Sequence, residues 1–178
     1  MGIFIKRLSV LCSALLLSII YANSAVAVPI VMAGSDYFFT PGDMTQFNFD
    51  EFDASLGLGN IEFKGVENGP GGSDTQVKRL QDADLTSGSD TINIELVALS
   101  LMSIGTVNFR GNEGNIFIDL NTSNTAKNQG TMTIEGDSTG GTFDSEFNAF
   151  VNIIFGDSID TGIVLVSGAD LGNLMATG

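Results

Sequence analysis

The chain has 178 residues, of which 21 are acidic and 7 basic, so its net charge is −14, and it contains no His, no Trp and one Cys. Its length fits one domain with enough chain to bury a core. The absence of His excludes His-based triads, general bases and zinc sites, and the acidic excess argues against binding to nucleic acid or to an anionic membrane surface.

The first 27 residues are predicted to be a signal peptide. A short basic start is followed by an apolar run from Leu8 to Ile20. The run has about 13 residues, within the roughly 7–15 of a signal-peptide core and short of the roughly 20 that cross a bilayer as a helix. Small residues before Val28 predict cleavage between Ala27 and Val28. An uncleaved N-terminal anchor is the alternative.

Cleavage at this position would change both the thiol content and the charge of the chain. Cys12 lies in the predicted signal peptide, so the mature chain would have no disulfide, no Cys nucleophile and no thiolate metal site. Loss of Lys6 and Arg7 would leave 5 basic residues against the same 21 acidic ones, a net charge of −16. We therefore expect a secreted, extracellular or cell-surface protein whose charge attracts divalent cations.

After residue 28 the sequence predicts strands. No window keeps the apolar spacing of an amphipathic helix, whereas apolar residues recur at alternate positions. In chain order the predicted strands are Gln46–Phe49, Ile61–Gly65, Thr75–Arg79, Thr91–Ile104, Thr106–Phe109, Ile116–Leu120, Thr131–Glu135, Phe143–Phe155 and Gly162–Val166. Within Thr91–Ile104, apolar and polar residues alternate as far as Ala98, and apolar residues occupy both faces from Val97 onward. This pattern predicts a strand that begins half exposed and ends buried on both faces. Residues 78–85 fit one turn of helix or a strand that enters an acidic loop, and we favour the second.

Turn compositions separate these strands. Gly and Asn accept a positive φ and Pro fixes φ, so clusters of these residues predict turns at 41–42, 68–72, 87–90, 111–112 and 140–141. Short strands with such turns and no helical spacers favour an antiparallel sandwich over a βαβ sheet. The fold prediction is therefore all-β, a single antiparallel β-sandwich over residues 28–178, with jelly-roll and immunoglobulin-like topologies both open. The twelve Phe residues that follow the predicted signal peptide would supply much of its core.

Without His or Cys, catalysis would have to depend on carboxylates. Paired Asp and Glu residues hydrolyse glycosides, but no feature of the sequence selects a pair among 21 acidic residues. Asp144 and Glu146 share the polar side of a predicted strand and are expected to face solvent. Sugar-cleaving sites commonly stack sugars on Trp or Tyr, and Tyr37 is the single Tyr after the predicted signal peptide. We therefore predict that the protein is not an enzyme, with a carboxylate-dependent glycoside hydrolase as a remote alternative.

Calcium is the ligand that the acidic loops suit best, because it binds carboxylate and carbonyl oxygens and needs neither His nor Cys. The first candidate ligands are Asp82, Asp84 and Asp90, with two further acidic loops at residues 112–115 and 156–160. None of these loops matches the helix-flanked calcium loop or the glycine-aspartate nonapeptide repeat. The alternative is that these carboxylates are solvated turn residues without a cofactor.

Four segments resemble a known group of proteins: residues 69–80 (Gly-Pro-Gly-Gly-Ser-Asp-Thr-Gln-Val-Lys-Arg-Leu), 90–103, 130–134 and 141–147. They are similar to exported bacterial β proteins, many of which carry a C-terminal PEP-CTERM sorting tail. The resemblance implies export, a β fold and a place at the cell surface or in an extracellular matrix. It implies no catalytic residue, because the group has no assigned activity. Residues 169–178 lack the Pro-Glu-Pro motif, apolar helix and basic end of a sorting tail, so we expect either a released protein or a reading frame that ends early.

Together these observations predict a non-catalytic structural or interaction module of the cell envelope or extracellular matrix. Its expected partners are extracellular polysaccharide or envelope proteins, and its oligomeric state is left open. The alternative is a calcium-assisted module that binds a ligand or polysaccharide.

Overall fold

The computed structural model describes residues 29–40, 42, 45–137 and 139–177. Within these residues lie one short helix, α1 (Phe49–Asp53), four 3-10 segments (Ala54–Leu56, Pro70–Gly72, Leu85–Ser87 and Thr122–Lys127) and twelve strands. The strands are β1 (Ile30–Val31), β2 (Gly34–Phe38), β3 (Thr45–Asn48), β4 (Asn60–Gly65), β5 (Thr75–Arg79), β6 (Ala83–Asp84), β7 (Ser89–Ser103), β8 (Val107–Phe109), β9 (Asn112–Leu120), β10 (Gln129–Asp137), β11 (Gly140–Gly156) and β12 (Ile163–Thr177).

The predicted all-β antiparallel sandwich is confirmed. Ten strands join in one antiparallel sheet, and β1 pairs separately with β6. The sheet folds over on its apolar face, because the rings of Phe38 on β2 and Phe143 on β11 lie 5.4 Å apart although β5, β7 and β10 separate these strands in the sheet. The inner faces thus enclose one hydrophobic core that draws on β4, β5, β7 and β9–β12.

Two long strands, β7 and β11, organise the sheet, and two shorter strands share the space between them. β10 pairs with the first half of each, whereas β9 pairs with the second half of each. Asn128, 1% exposed, lies where β9 gives way to β10. Its carbonyl accepts from Leu96 N at 2.7 Å, its Oδ1 accepts from Phe150 N at 2.8 Å and its Nδ2 donates to Asn121 O at 3.1 Å. Asn128 therefore links β7 to β11 by hydrogen bonds at the point where neither β9 nor β10 lies between them.

The alternation predicted for β7 is correct up to Leu96 and wrong beyond it. Leu96 pairs with Val77 of β5 but Ala98 pairs with Gln76, so Val97 is an extra residue that forms a bulge. The buried positions consequently change from even to odd numbers, and Leu99 and Leu101 continue the core instead of Ala98. On the opposite face Ser100 is buried and Met102 half-buried, but Ile104, which was expected to be covered there, lies beyond the strand and is 47% exposed, so burial of both faces is reached only in part.

The alternation predicted for β11 is confirmed, with buried residues at every odd position from 145 to 155. β12 runs to Thr177, far beyond the predicted segment Gly162–Val166, and pairs with β11 along its length. Residues 80–82 follow β5 as a loop, which agrees with the favoured interpretation of residues 78–85. The predicted signal peptide and the Ala27–Val28 cleavage site lie outside the described residues. In the part of the chain that the structure describes, no helix is long and apolar enough to cross a membrane.

Candidate functional site

The three candidate calcium ligands lie around β6 and the start of β7, where each carboxylate binds the main chain. Asp82 Oδ1 accepts from Ala33 N at 2.6 Å. Asp84 Oδ1 accepts from the amide and hydroxyl of Thr86, and these hydrogen bonds lower the pKa of Asp84. Asp90 accepts from Asp84 N at 2.9 Å through Oδ2 and from Thr91 N at 2.8 Å through Oδ1. Across the described residues no three acidic side chains converge as metal ligands, so the calcium site stays a prediction.

A polar row crosses the outer face of the sheet, and it contains an aspartate that the sequence analysis did not single out. In register it runs from Ser100 through Asp119 and Asn152 to Ser167. Burial raises the pKa of Asp119, and the negative charge of Asp160 raises it further. Asn152 Oδ1 accepts from Ser167 Oγ at 3.1 Å. The sequence signal for Asp119 was an acidic residue inside an otherwise apolar strand.

The described residues form an apolar groove of about 520 Å³ between β2 and β12. Buried Leu99, Leu101 and Phe147 form its floor, and the walls come from residues 37–40 and 174–177. None of its lining residues is charged. We call this recess the β2–β12 groove.

Both walls of the β2–β12 groove are sheet edges. Among the described residues β2 pairs with β5 alone and β12 pairs with β11 alone. Phe38 O accepts from Asp74 N at 3.2 Å, so this residue turns its main chain towards β5. Because main-chain groups alternate in direction along a strand, those of Tyr37, the preceding residue of β2, should point to the free edge. The side chains of Phe39 and Met175 are 64% and 77% exposed on the two walls.

A buried carboxylate fixes the rim of the groove. Asp74 is 3% exposed and accepts from Thr40 N and Thr40 Oγ1 at 2.7 Å and from Thr75 Oγ1 at 2.6 Å. Its main chain also accepts from Ser100 N at 3.0 Å. Charge-assisted hydrogen bonds of this kind compensate the burial of a carboxylate. Asp74 therefore anchors the end of β2 to β5 and β7, which positions that wall of the groove.

Comparison of the chain with protein-family models, with curated proteins and with solved structures gives no match. Function must therefore be argued from the site itself, because a sandwich fold alone specifies none. The sequence analysis missed the β2–β12 groove because its lining comes from distant segments. Only the folding over of the sheet brings residues 37–40, 99–101 and 174–177 together.

Proposed function

We propose that the protein is a non-catalytic, exported interaction module of the cell envelope or extracellular matrix, and that the β2–β12 groove is its binding surface. The observation that carries the proposal is an uncharged, open apolar recess on a chain whose net charge is −14. Apolar recesses of about 300–1,000 Å³ that reach the core are the usual places where proteins hold ligands. The groove volume of about 520 Å³ falls in that range.

The exposed side chains at the groove support a binding role. Phe39 and Met175 leave large apolar surfaces in solvent on opposite walls, next to further apolar side chains. Contiguous exposed apolar surface of this kind marks interaction sites on soluble proteins. The lining also lacks a carboxylate, imidazole or thiol to act as a base or nucleophile, which favours binding over catalysis.

A neutral solvatochromic dye tests the groove as a binding surface. We expect the dye to bind the purified protein and Phe39→Ser to weaken binding by about fivefold or more, since one exposed aromatic contact is worth roughly 1 kcal/mol. Phe52→Ser is the matched control, because Phe52 is 37% exposed on α1 and lies outside the groove lining. Equal loss in both variants, or no dye binding, would contradict the proposal.

Export is tested by the mature N-terminus. We expect protein recovered from the medium or the cell surface to begin at Val28, as the small residues before it predict. Mass spectrometry of the intact protein measures this directly. Peptides from residues 1–27 in the mature protein would rule out cleavage, and their confinement to the cell-bound fraction would favour the uncleaved anchor.

A further inference from the structure

We infer that the β2–β12 groove binds an extended segment of a partner protein, apolar in its middle and basic at its ends, which adds a strand to the sheet. This inference rests on the proposed function, because it names the partner of the same groove.

The walls of the groove favour a polypeptide over a small apolar molecule. Among the described residues strands β2 and β12 each have one edge without a strand partner, and the alternation along β2 directs the N–H and C=O groups of Tyr37 outwards. Only an extended chain offers acceptors and donors at the spacing of such an edge. Strand addition to an exposed edge is a recurrent mode of peptide recognition, in which the main chain gives affinity and alternate side chains give specificity.

The floor of the groove determines what the middle of the segment carries. β2 has five residues, so a strand paired with it would be of similar length. Alternate side chains of an added strand would face Leu99, Leu101 and Phe147, which are buried and apolar. The others would contact Phe39 at the rim. A segment with small or branched apolar residues at every second position suits this arrangement.

Charge determines what the ends of the segment carry. The lining is neutral, but the exposed side chains of Asp144 and Glu146 on β11 lie in register with Thr177 and Met175 of the β12 wall. The whole chain adds a net charge of −14. These two carboxylates lie on the outer face of β11, opposite Phe147, so basic ends that pass the β12 wall would be attracted to them and to the acidic chain as a whole, whereas a second copy of this chain or an anionic lipid surface would be repelled.

Three synthetic peptides test the inference by fluorescence anisotropy. The first is Lys-Lys-Val-Thr-Val-Thr-Val-Lys-Lys, the second replaces every Lys with Glu, and the third is the first with N-methylated central residues. At about 20 mM salt we expect the Lys-ended peptide to bind about tenfold or more tightly than the Glu-ended one, with the difference lost at about 1 M salt. N-methylation removes the donors to the strand edge and should weaken binding by about tenfold or more.

The same variants separate this inference from the proposed function. Phe39→Ser should weaken binding of the Lys-ended peptide and Phe52→Ser should not. If the neutral dye binds the groove but no peptide does, or if N-methylation has no effect, strand addition is overturned and the groove keeps its binding role. If neither the dye nor any peptide binds, both the proposed function and the strand-addition inference are contradicted. Sedimentation that shows a dimer dispersed by Phe39→Ser would overturn the inference in favour of a second copy.

Discussion

Among the described residues Asp74 is the most deeply buried charged side chain, at 3% exposure. The atoms around its carboxylate are closely packed. Three donors surround its carboxylate, and Gly65 of β4 packs directly against it. A Cβ on Gly65 would lie 1.8 Å from Asp74 Oδ2. In the sequence Gly65 only marks the end of a predicted strand. The structure shows that a residue without a side chain is needed there, because Asp74 occupies the space.

Gly65→Ala should therefore displace the carboxylate and leave buried groups with poor hydrogen bonds. We expect a loss of about 2–4 kcal/mol in the free energy of unfolding, the range for disrupting a buried hydrogen-bonded charge. Urea denaturation measures the loss. Gly105→Ala is the matched control, because no atom lies within 4 Å of the new Cβ, and it should change stability by less than about 1 kcal/mol. Equal losses would refute the packing role of Gly65.

Asp119 gives a prediction for pH dependence. Burial, and then the negative charge of Asp160, raise its pKa above the ordinary 3.8, so the folded state holds this proton more tightly than the unfolded chain. The contribution of this group to the free energy of unfolding therefore falls as pH rises from 3.8 through the raised pKa. Asp119→Asn should be more stable at pH 7 by roughly 0.5 kcal/mol, a small value because the side chain is partly exposed.

The test is the free energy of unfolding of both proteins across the acidic range. The advantage of Asp119→Asn should shrink as pH falls towards 3.8 and be lost by about pH 3, where Asp119 is protonated in both states. Asp137→Asn is the contrast, because hydrogen bonds from Thr139 lower the pKa of Asp137 and stabilise the folded state above 3.8. That variant should be less stable at neutral pH. An advantage of Asp119→Asn that persisted at pH 3 would rule out the ionisation argument.

At the scale of the elements, β11 was predictable from the sequence and most of β12 was not. β11 has most of its apolar residues at odd positions, with Phe150 and Ile154 as exceptions, so period two identifies it. β12 shifts register against β11 at three points, two of which hold Gly168 and Gly172 at positive φ. After each shift, the residues that face the core change from odd to even positions or back. The apolar residues of β12 therefore do not alternate regularly along the sequence. One wall of the groove, the end of β12, escaped prediction for this reason.

The two bulge glycines of β12 provide a matched pair of variants. Gly168 and Gly172 have φ of 72° and 73°, but only a Cβ on Gly168 would meet another residue, 2.4 Å from the ring of Phe150. This ring is also covered in part by Lys127, whose Nζ lies 4.1 Å from the ring centroid. We expect Gly172→Ala to cost about 1 kcal/mol and Gly168→Ala about 2–4 kcal/mol in chemical denaturation. Similar losses would assign the whole effect to backbone strain.

At the scale of the whole molecule, the acidic charge is little compensated. The described residues contain one salt bridge, Arg79 Nε to Asp36 Oδ2 at 2.9 Å, in a chain of net charge −14. Composition was enough to predict acidic loops that attract cations, but it does not show where each carboxylate points. In the structure the oxygens of Asp82, Asp84 and Asp90 accept main-chain N–H groups.

Calcium therefore gives a prediction for the whole chain. A site that is specific for the folded state and present at about 100 times its dissociation constant would add roughly 2.7 kcal/mol, or about 5–10 °C in Tm. Because the candidate carboxylates already hold the main chain, we expect calcium and magnesium to raise Tm equally and slightly by screening repulsion. Thermal unfolding in each ion and in chelator measures this. A saturable rise with calcium alone, abolished in Asp90→Asn, would instead establish the calcium site.

The sharing of one space by β9 and β10 has a consequence for the order in which the protein can be assembled. β7 is complete at Ser103, yet the partner of its first half, β10, begins only at Gln129. The inner face of β11 follows later still. A chain synthesised only to residue 127 would leave one edge of β7 open beside its apolar side chains, a state prone to aggregation. The final third of the chain thus controls when the first two thirds can fold, and pairing over such long separations makes that folding slow.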